Sequence, residues 1–116
     1  MRIVIHKEQL NAWQSVTVGW ANALSFQGNQ VVLWSPQEKS AHDLWYEFNP
    51  EIVICSTEHL NRPLMKCLLD SNTNICLRLR DWGELSSKLN VTPLAIEEEK
   101  NAVKLLKDNN RITFVF

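Results

Sequence analysis

The feature that most constrains this chain is a set of five short apolar segments. The first four are each followed by a stretch with helical periodicity, and the fifth ends the sequence. The strand-like segments cover residues 2–6, 30–35, 51–57, 74–80 and 111–116. Strands that are apolar on both sides and alternate with helices are typical of a parallel sheet covered by helices on both faces. The sequence therefore predicts an α/β fold, a three-layer Rossmann-like or flavodoxin-like domain whose five parallel strands run in the order 2-1-3-4-5.

The helical segments carry recognisable start and stop signals. Apolar residues recur at helical spacing in segments near 15–27, 40–49, from 61 onward and 93–108, and a short turn of helix is expected within 81–89. Gly28 stands where a glycine commonly ends a helix. Ser40 and Asn61 are suitable N-cap residues, and Pro50 stops the helix before it.

Length and charge restrict the class of protein. The chain has 116 residues, 12 Lys and Arg against 13 Asp and Glu, and a net charge of −1. This length predicts one domain, residues 1–116. The charge balance argues against a dedicated nucleic-acid-binding protein, which usually carries a clustered basic excess.

Neither export nor a membrane span is indicated. Apolar runs are about four residues long, whereas a span needs roughly 20, and the N-terminus lacks the pattern of a signal peptide. Cys55, Cys67 and Cys76 show no metal-binding spacing and are best explained as small buried apolar residues. We therefore expect a cytoplasmic protein without disulfides, and no cofactor.

The last strand-like segment suggests an incompletely covered sheet. In a 2-1-3-4-5 sheet the first and fifth helices cover one face, and residues 111–116 are followed by no fifth helix. We expect this domain to be the N-terminal half of a larger two-domain protein. An alternative is that strands four and five pack against another copy or another domain.

Ligands of open parallel sheets bind outside the carboxyl ends of the strands, where the strand order reverses. In this chain that crevice lies between strands one and three. His6 follows strand one, and Ser56, Thr57, Glu58 and His59 follow strand three. His6 and His59 are expected to face each other there, and His6 is a candidate general base.

Further candidates come from other loops at the same edge. Arg80, Asp81 and Trp82 follow strand four, and Trp13 lies in the predicted loop before the first helix. Asp81 is a second candidate base, and the tryptophans are suited to stacking on sugar rings. Purely structural roles are the alternative: surface histidines, a helix-capping Asp81 and packing tryptophans.

Several common site patterns are absent from the sequence. Neither the dinucleotide-binding nor the P-loop glycine pattern occurs. The acidic pair and aspartate of a phosphate-accepting receiver domain are replaced by HKE and CST, and no zinc-ligand spacing or nucleophile elbow is present. No metal site is expected.

The stretch VTVGWANALSFQGNQVVLWS resembles the opening of a GT-B glycosyltransferase, and FNPEIVICST resembles that family's next landmark, a proline and acidic residue before a hydrophobic strand. The chain also resembles the N-terminal half of CgeB-like and family 4-like glycosyltransferases. The resemblance implies an acceptor-side domain that needs a second domain to bind the nucleotide-sugar donor. It implies that Gly19 lies near the donor phosphates and that His6 or Asp81 lies near the acceptor hydroxyl.

Two functions therefore remain open. The first is the acceptor-side domain of an enzyme that moves a sugar from a nucleotide donor to a hydroxyl, inactive when isolated. The second is a non-catalytic flavodoxin-like module, of the degenerate receiver type, that contacts other proteins.

Overall fold

The computed structural model describes residues 1–8, 11–78 and 93–115, which form five strands and four α-helices. The strands are β1 (Arg2–His6), β2 (Gln30–Trp34), β3 (Ile52–Ser56), β4 (Asn74–Arg78) and β5 (Ile112–Val115). The helices are α1 (Asn11–Phe26), α2 (Ala41–Phe48), α3 (Arg62–Asp70) and α4 (Pro93–Asp108), and a single 3-10 turn, Thr57–His59, follows β3.

The strands form one parallel sheet in the order β2-β1-β3-β4-β5, which confirms the predicted α/β fold and its strand order. The chain leaves β1 toward β2 on one side and later returns to place β3 on the other. The strand order thus reverses between β1 and β3. Their carboxyl ends therefore border the crevice in which a ligand is expected.

One face of the sheet carries the larger core. Val4, Val53, Ile75 and Leu77 are buried under α2, α3 and α4. The helices contribute apolar side chains at helical spacing, among them Leu44, Leu64, Leu68, Val103 and Leu106. Continuous burial on this face explains why the strands are apolar where they point toward it.

The opposite face is packed against α1. Ile3 and Ile5 are buried beside Ala21, with Trp20 and Leu24 partly buried around them. Within the described ranges, α1 is the helix that packs on this face. Cys76 and Arg78 of β4 point to the same side and are half-buried, since they alternate with the buried Ile75 and Leu77.

The predicted helix caps are confirmed. The Ser40 hydroxyl accepts a hydrogen bond from the Asp43 N–H at 3.2 Å, and Asn61 Oδ1 accepts one from the Leu64 N–H at 3.1 Å. Gly28 has a φ of +94°, a conformation that favours glycine after a helix.

Helix α1 begins earlier than its apolar pattern predicted. It starts at Asn11 rather than near Ser15. Trp13 stands three residues before Val16 and seven before Trp20, so the apolar spacing extends one turn further toward the N-terminus than predicted. Trp13 consequently lies in the helix and not in a loop. Gly19 lies well inside the helix, where no atom approaches the position of a side-chain Cβ within 4 Å.

The three cysteines are free thiols. Cys55 is fully buried, and burial raises its pKa to about 12, so the thiol is unreactive. Cys67 and Cys76 are half-buried, and burial raises their pKa as well. None of the helices described is both long and apolar enough to cross a bilayer.

Candidate functional site

The carboxyl ends of β1, β3 and β4 bring a charged cluster together at one edge of the sheet. We call Glu8, Ser56, His59 and Arg78 the carboxyl-edge cluster. Glu8 comes from the segment after β1, Ser56 ends β3, His59 closes the 3-10 turn, and Arg78 ends β4. Each side chain reaches this edge because parallel strands all end on the same side of the sheet.

The Glu8 carboxylate is the centre of the cluster. Only 8 % of this residue is exposed. Its Oε1 accepts a hydrogen bond of 2.7 Å from the Ser56 hydroxyl and lies 3.7 Å from Nη2 of Arg78. A buried carboxylate is stable as an anion only with such a charge partner and hydrogen-bond donor.

Ser56 joins Glu8 to Arg78 by hydrogen bonds and is unsuited to nucleophilic catalysis. Its hydroxyl donates to Glu8 and accepts a 3.0 Å hydrogen bond from Nε of Arg78. The residue is fully buried. A nucleophilic serine must reach its substrate, and a hydroxyl that is fully buried and bonded to both Glu8 and Arg78 does not.

His59 is held in one tautomer. The Ser56 N–H donates to Nδ1 of His59 at 3.0 Å, as in a capping box in which the histidine occupies the usual position of Glu or Gln. Since Nδ1 accepts this bond, the ring proton resides on Nε2. Nε2 lies 3.6 Å from Oε2 of Glu8 and 3.7 Å from Oε1 of Glu58.

His6 lies flat against His59. The ring centroids are 3.6 Å apart and the planes differ by 7°. Trp34 contacts the His6 ring edge-on, with centroids 5.1 Å apart. Nδ1 of His6 donates to the Lys7 carbonyl at 2.8 Å, which leaves Nε2 as an acceptor. Burial lowers the pKa of His6 below 6.5, although the Lys7 carbonyl and the charge of Glu8 oppose the shift.

A cavity of about 310 Å³ opens beside the histidine pair. Its wall includes the side chains of His6, Lys7, Glu8, Glu38, Glu58 and His59. Lys7 forms an ion pair with Glu38 across the mouth. The wall thus offers carboxylate and imidazole acceptors beside donors from Lys7, Gln37 and Asn61. Hydroxyl groups, which both donate and accept hydrogen bonds, match such a wall.

The group formed by Glu8, Glu58 and His59 was tested as a metal site. One potential ligand atom from each lies within 4.8 Å of the others. However, Nε2 of His59 carries the ring proton, because Nδ1 accepts the Ser56 N–H. A histidine ligates through an unprotonated nitrogen, so these residues do not fit a metal ion in this arrangement.

The structure brings together several residues singled out in the sequence. The expected contact between His6 and His59 is confirmed, and Glu58 lines the cavity beside them. Thr57 is fully buried, and its hydroxyl donates to Glu99 of α4 at 3.4 Å. Ser56 belongs to the cluster but faces away from solvent.

Other candidates lie apart or cannot be placed. Gly19 is an exposed residue in the body of α1, and Trp13 is in the first turn of that helix. Arg80, Asp81 and Trp82 lie outside the described residues, so their proposed roles stay predictions.

Two central residues were missed by sequence reasoning. Neither Glu8 nor Arg78 was among the residues predicted for the site. A charged side chain inside an otherwise apolar strand was the available signal for Arg78. A charged residue in such a strand needs a counter-charge, and among the described residues Glu8 provides one, 3.7 Å from Nη2 of Arg78.

No protein-family model matches the chain, and none of the curated proteins shows detectable sequence similarity to it.

Proposed function

We propose that this chain is the acceptor-side domain of a GT-B-type glycosyltransferase, and that the cavity beside His6 and His59 binds a hydroxyl-bearing acceptor. The observation that carries this proposal is the chemistry of the cavity wall. At the position where a parallel sheet binds its ligand, the wall offers the acceptors His6, Glu38 and Glu58 and no glycine-rich phosphate cradle. A neutral polyol fits such a wall better than a nucleotide does.

His6 is the proposed base. Its Nε2 is the acceptor nitrogen, and its lowered pKa keeps the ring neutral at physiological pH. An acceptor hydroxyl bound there gives its proton to Nε2 as the oxygen bonds to the anomeric carbon of the donor sugar. The bond from that carbon to the leaving nucleoside diphosphate breaks in the same step, and the proton passes from His6 to solvent afterwards.

The donor is expected to be held by a second domain. Accordingly, this chain by itself is proposed to bind simple glycosides weakly, to bind nucleotide sugars no better than millimolar, and to transfer no sugar. The free cysteines are consistent with the reducing cytoplasm as the proposed location.

Isothermal titration calorimetry of the 116-residue chain tests this proposal. Methyl glycosides are titrated into the wild-type chain and into His6→Phe, which keeps an aromatic ring but lacks the acceptor nitrogen. UDP- and GDP-sugars are titrated in parallel. We expect heat from a glycoside that His6→Phe abolishes. Micromolar binding of a nucleotide sugar, or glycoside binding that is unaffected by His6→Phe, would contradict the proposal.

A non-catalytic interaction module is the second candidate, and the surface of α1 favours it. Val18 is half-exposed and Phe26 is 94 % exposed on this helix. Such side chains mark a protein contact where they form a contiguous patch. Self-association that Phe26→Ser reduces, together with no response to any glycoside, would favour this function over the first.

A further inference from the structure

We propose that His59 is a positioning residue. The Ser56 N–H locks it in its Nε2–H tautomer, and its ring holds His6 in place. Nε2 of His6 is then the nitrogen of the pair that takes up a proton. The role of His6 as base rests on the proposed function. The arrangement of the two rings does not depend on that function, and it can be tested without substrate.

The first argument is the hydrogen bonding of the two rings. Protonation of His59 would require Nδ1 to carry a hydrogen, which would point at the Ser56 N–H that it now accepts. Protonation of His6 disturbs no hydrogen bond, since Nδ1 already donates to the Lys7 carbonyl. Within the described part of the chain, Nε2 of His6 has no hydrogen-bond partner.

The second argument is the stack itself. Two imidazolium rings with centroids 3.6 Å apart would repel each other strongly. The pair therefore binds one proton before it binds a second. A proton on His59 would place the charged ring against Glu8 and Glu58, 3.6 and 3.7 Å from its Nε2, but it would also point a hydrogen on Nδ1 at the Ser56 N–H and so break the capping box. We take the loss of that buried hydrogen bond to be the larger effect, and the first proton therefore goes to His6.

Charged groups surround the pair from several elements. Lys7 and Glu8 follow β1, Glu38 precedes α2, and Glu58 is in the 3-10 turn. Arg78 of β4 approaches Glu8, and Glu99 of α4 accepts from Thr57 behind the turn. Arg78 and Lys7 offset the charge of two of these carboxylates, so burial remains the stronger influence on His6 and keeps it neutral near pH 7.

The stack orients His6 from one side while Trp34 contacts the ring on another. With Nδ1 fixed on the Lys7 carbonyl, the ring cannot rotate without losing all three contacts. Nε2 of His6 is therefore presented in one direction, which is what a general base requires.

Long-range ¹⁵N–¹H NMR of the histidine rings tests this inference as a function of pH. In the wild-type chain we expect His59 in the Nε2–H form and His6 in the Nδ1–H form. As the pH falls, His6 is expected to titrate first, and His59 only at the pH where the 3-10 turn loses its structure. Titration of His59 before His6, or an equal mixture of tautomers for His59, would overturn the inference.

Two variants separate stacking from capping. His59→Gln keeps a side-chain oxygen for the Ser56 N–H but removes the ring, whereas His59→Phe keeps a ring but removes the cap. We expect the titration midpoint of His6 to move upward toward 6.5 in His59→Gln, because the ring becomes hydrated, and to stay near the wild-type midpoint in His59→Phe. Equal midpoints in the two variants would show that the stack does not position His6. Glycoside binding is not measured in this experiment, so the result does not depend on whether the proposed function is correct.

Discussion

Two buried polar clusters lie at opposite edges of the same sheet, and they differ in charge. At the amino-terminal edge, Nε1 of Trp45 donates to the hydroxyls of Thr73 and Ser71, and the Thr73 hydroxyl donates to the Pro50 carbonyl at 2.8 Å. We call Trp45, Ser71 and Thr73 the amino-edge cluster, and its side chains are neutral. The carboxyl-edge cluster instead contains an ionised acid and an arginine.

This difference distinguishes polar groups that stabilise the fold from polar groups that form a functional site. Neutral hydroxyl groups and an indole N–H form hydrogen bonds at the strand ends with a small desolvation penalty. The amino-edge cluster is an example of this in the present chain. Ionised groups are more costly to bury and stabilise a fold less than apolar side chains would. Charges retained at the carboxyl edge, where parallel sheets bind ligands, therefore indicate a site rather than a structural solution.

The sharpest test of this comparison is Arg78→Met, which should cause the largest loss of stability. It leaves the Glu8 carboxylate buried without its charge partner, and we expect the free energy of unfolding in urea to fall by about 3 kcal/mol. The double variant Glu8→Gln with Arg78→Met should recover more than half of that loss. If Arg78→Met lowers the free energy of unfolding by less than about 1 kcal/mol, burial of the Glu8 carboxylate does not depend on Arg78.

Thr73→Val, in the amino-edge cluster, should have a smaller effect. It removes one hydroxyl acceptor from Trp45 and the donor to the Pro50 carbonyl, and we expect a loss of about 1–2 kcal/mol in the same urea experiment. Thr73→Ser, which keeps the hydroxyl, is the matched control. A loss as large as that of Arg78→Met would remove the distinction between the two edges.

The dependence of stability on pH should arise at the carboxyl edge. The pKa of His6 is lower in the folded chain than the unfolded value of 6.5, so below that pH the unfolded chain binds more protons and stability falls. His6→Phe should therefore flatten the decline in unfolding free energy between about pH 7.5 and about pH 5.5. His42→Gln, a change at an exposed histidine of α2, is the control. An unchanged decline in His6→Phe would show that burial of this ring is not coupled to stability.

An exposed ion pair should contribute least. Lys39 pairs with Glu47 while both side chains are about half exposed, and such pairs contribute roughly 0–1 kcal/mol. Lys39→Met is expected to change the urea midpoint by no more than a surface substitution does. A loss comparable to that of Arg78→Met would mean that charge pairing stabilises this chain irrespective of burial.

Much of the fold followed from the sequence, because its signals are local. Apolar runs, the caps Ser40 and Asn61, and Gly28 each act over a few residues, and the strand order follows from the rules of parallel sheets. The predicted start of α1 was wrong because Trp13, which stands three and seven residues before Val16 and Trp20, was assigned to a loop.

The site was predicted in position but not in composition. The crevice between β1 and β3 follows from topology, and the facing of His6 and His59 follows from the crevice. The contact of Glu8 with Arg78 joins the segment after β1 to the end of β4, and no local pattern specifies which charges will pair across the sheet. The tautomer of His59 depends on a backbone N–H, which has no sequence signal at all.

Chemical-shift mapping of both edges in one titration tests the central claim most directly. A ¹⁵N-labelled chain is titrated with a panel of methyl glycosides while the rings of His6 and His59 and the indole N–H of Trp45 are followed. We expect a glycoside to move the histidine resonances in a saturable manner and to leave that of Trp45 unchanged. Resonances that move at Trp45 alone, or that remain still at both edges across the panel, would contradict the assignment of the cavity beside His6 and His59 as the binding site.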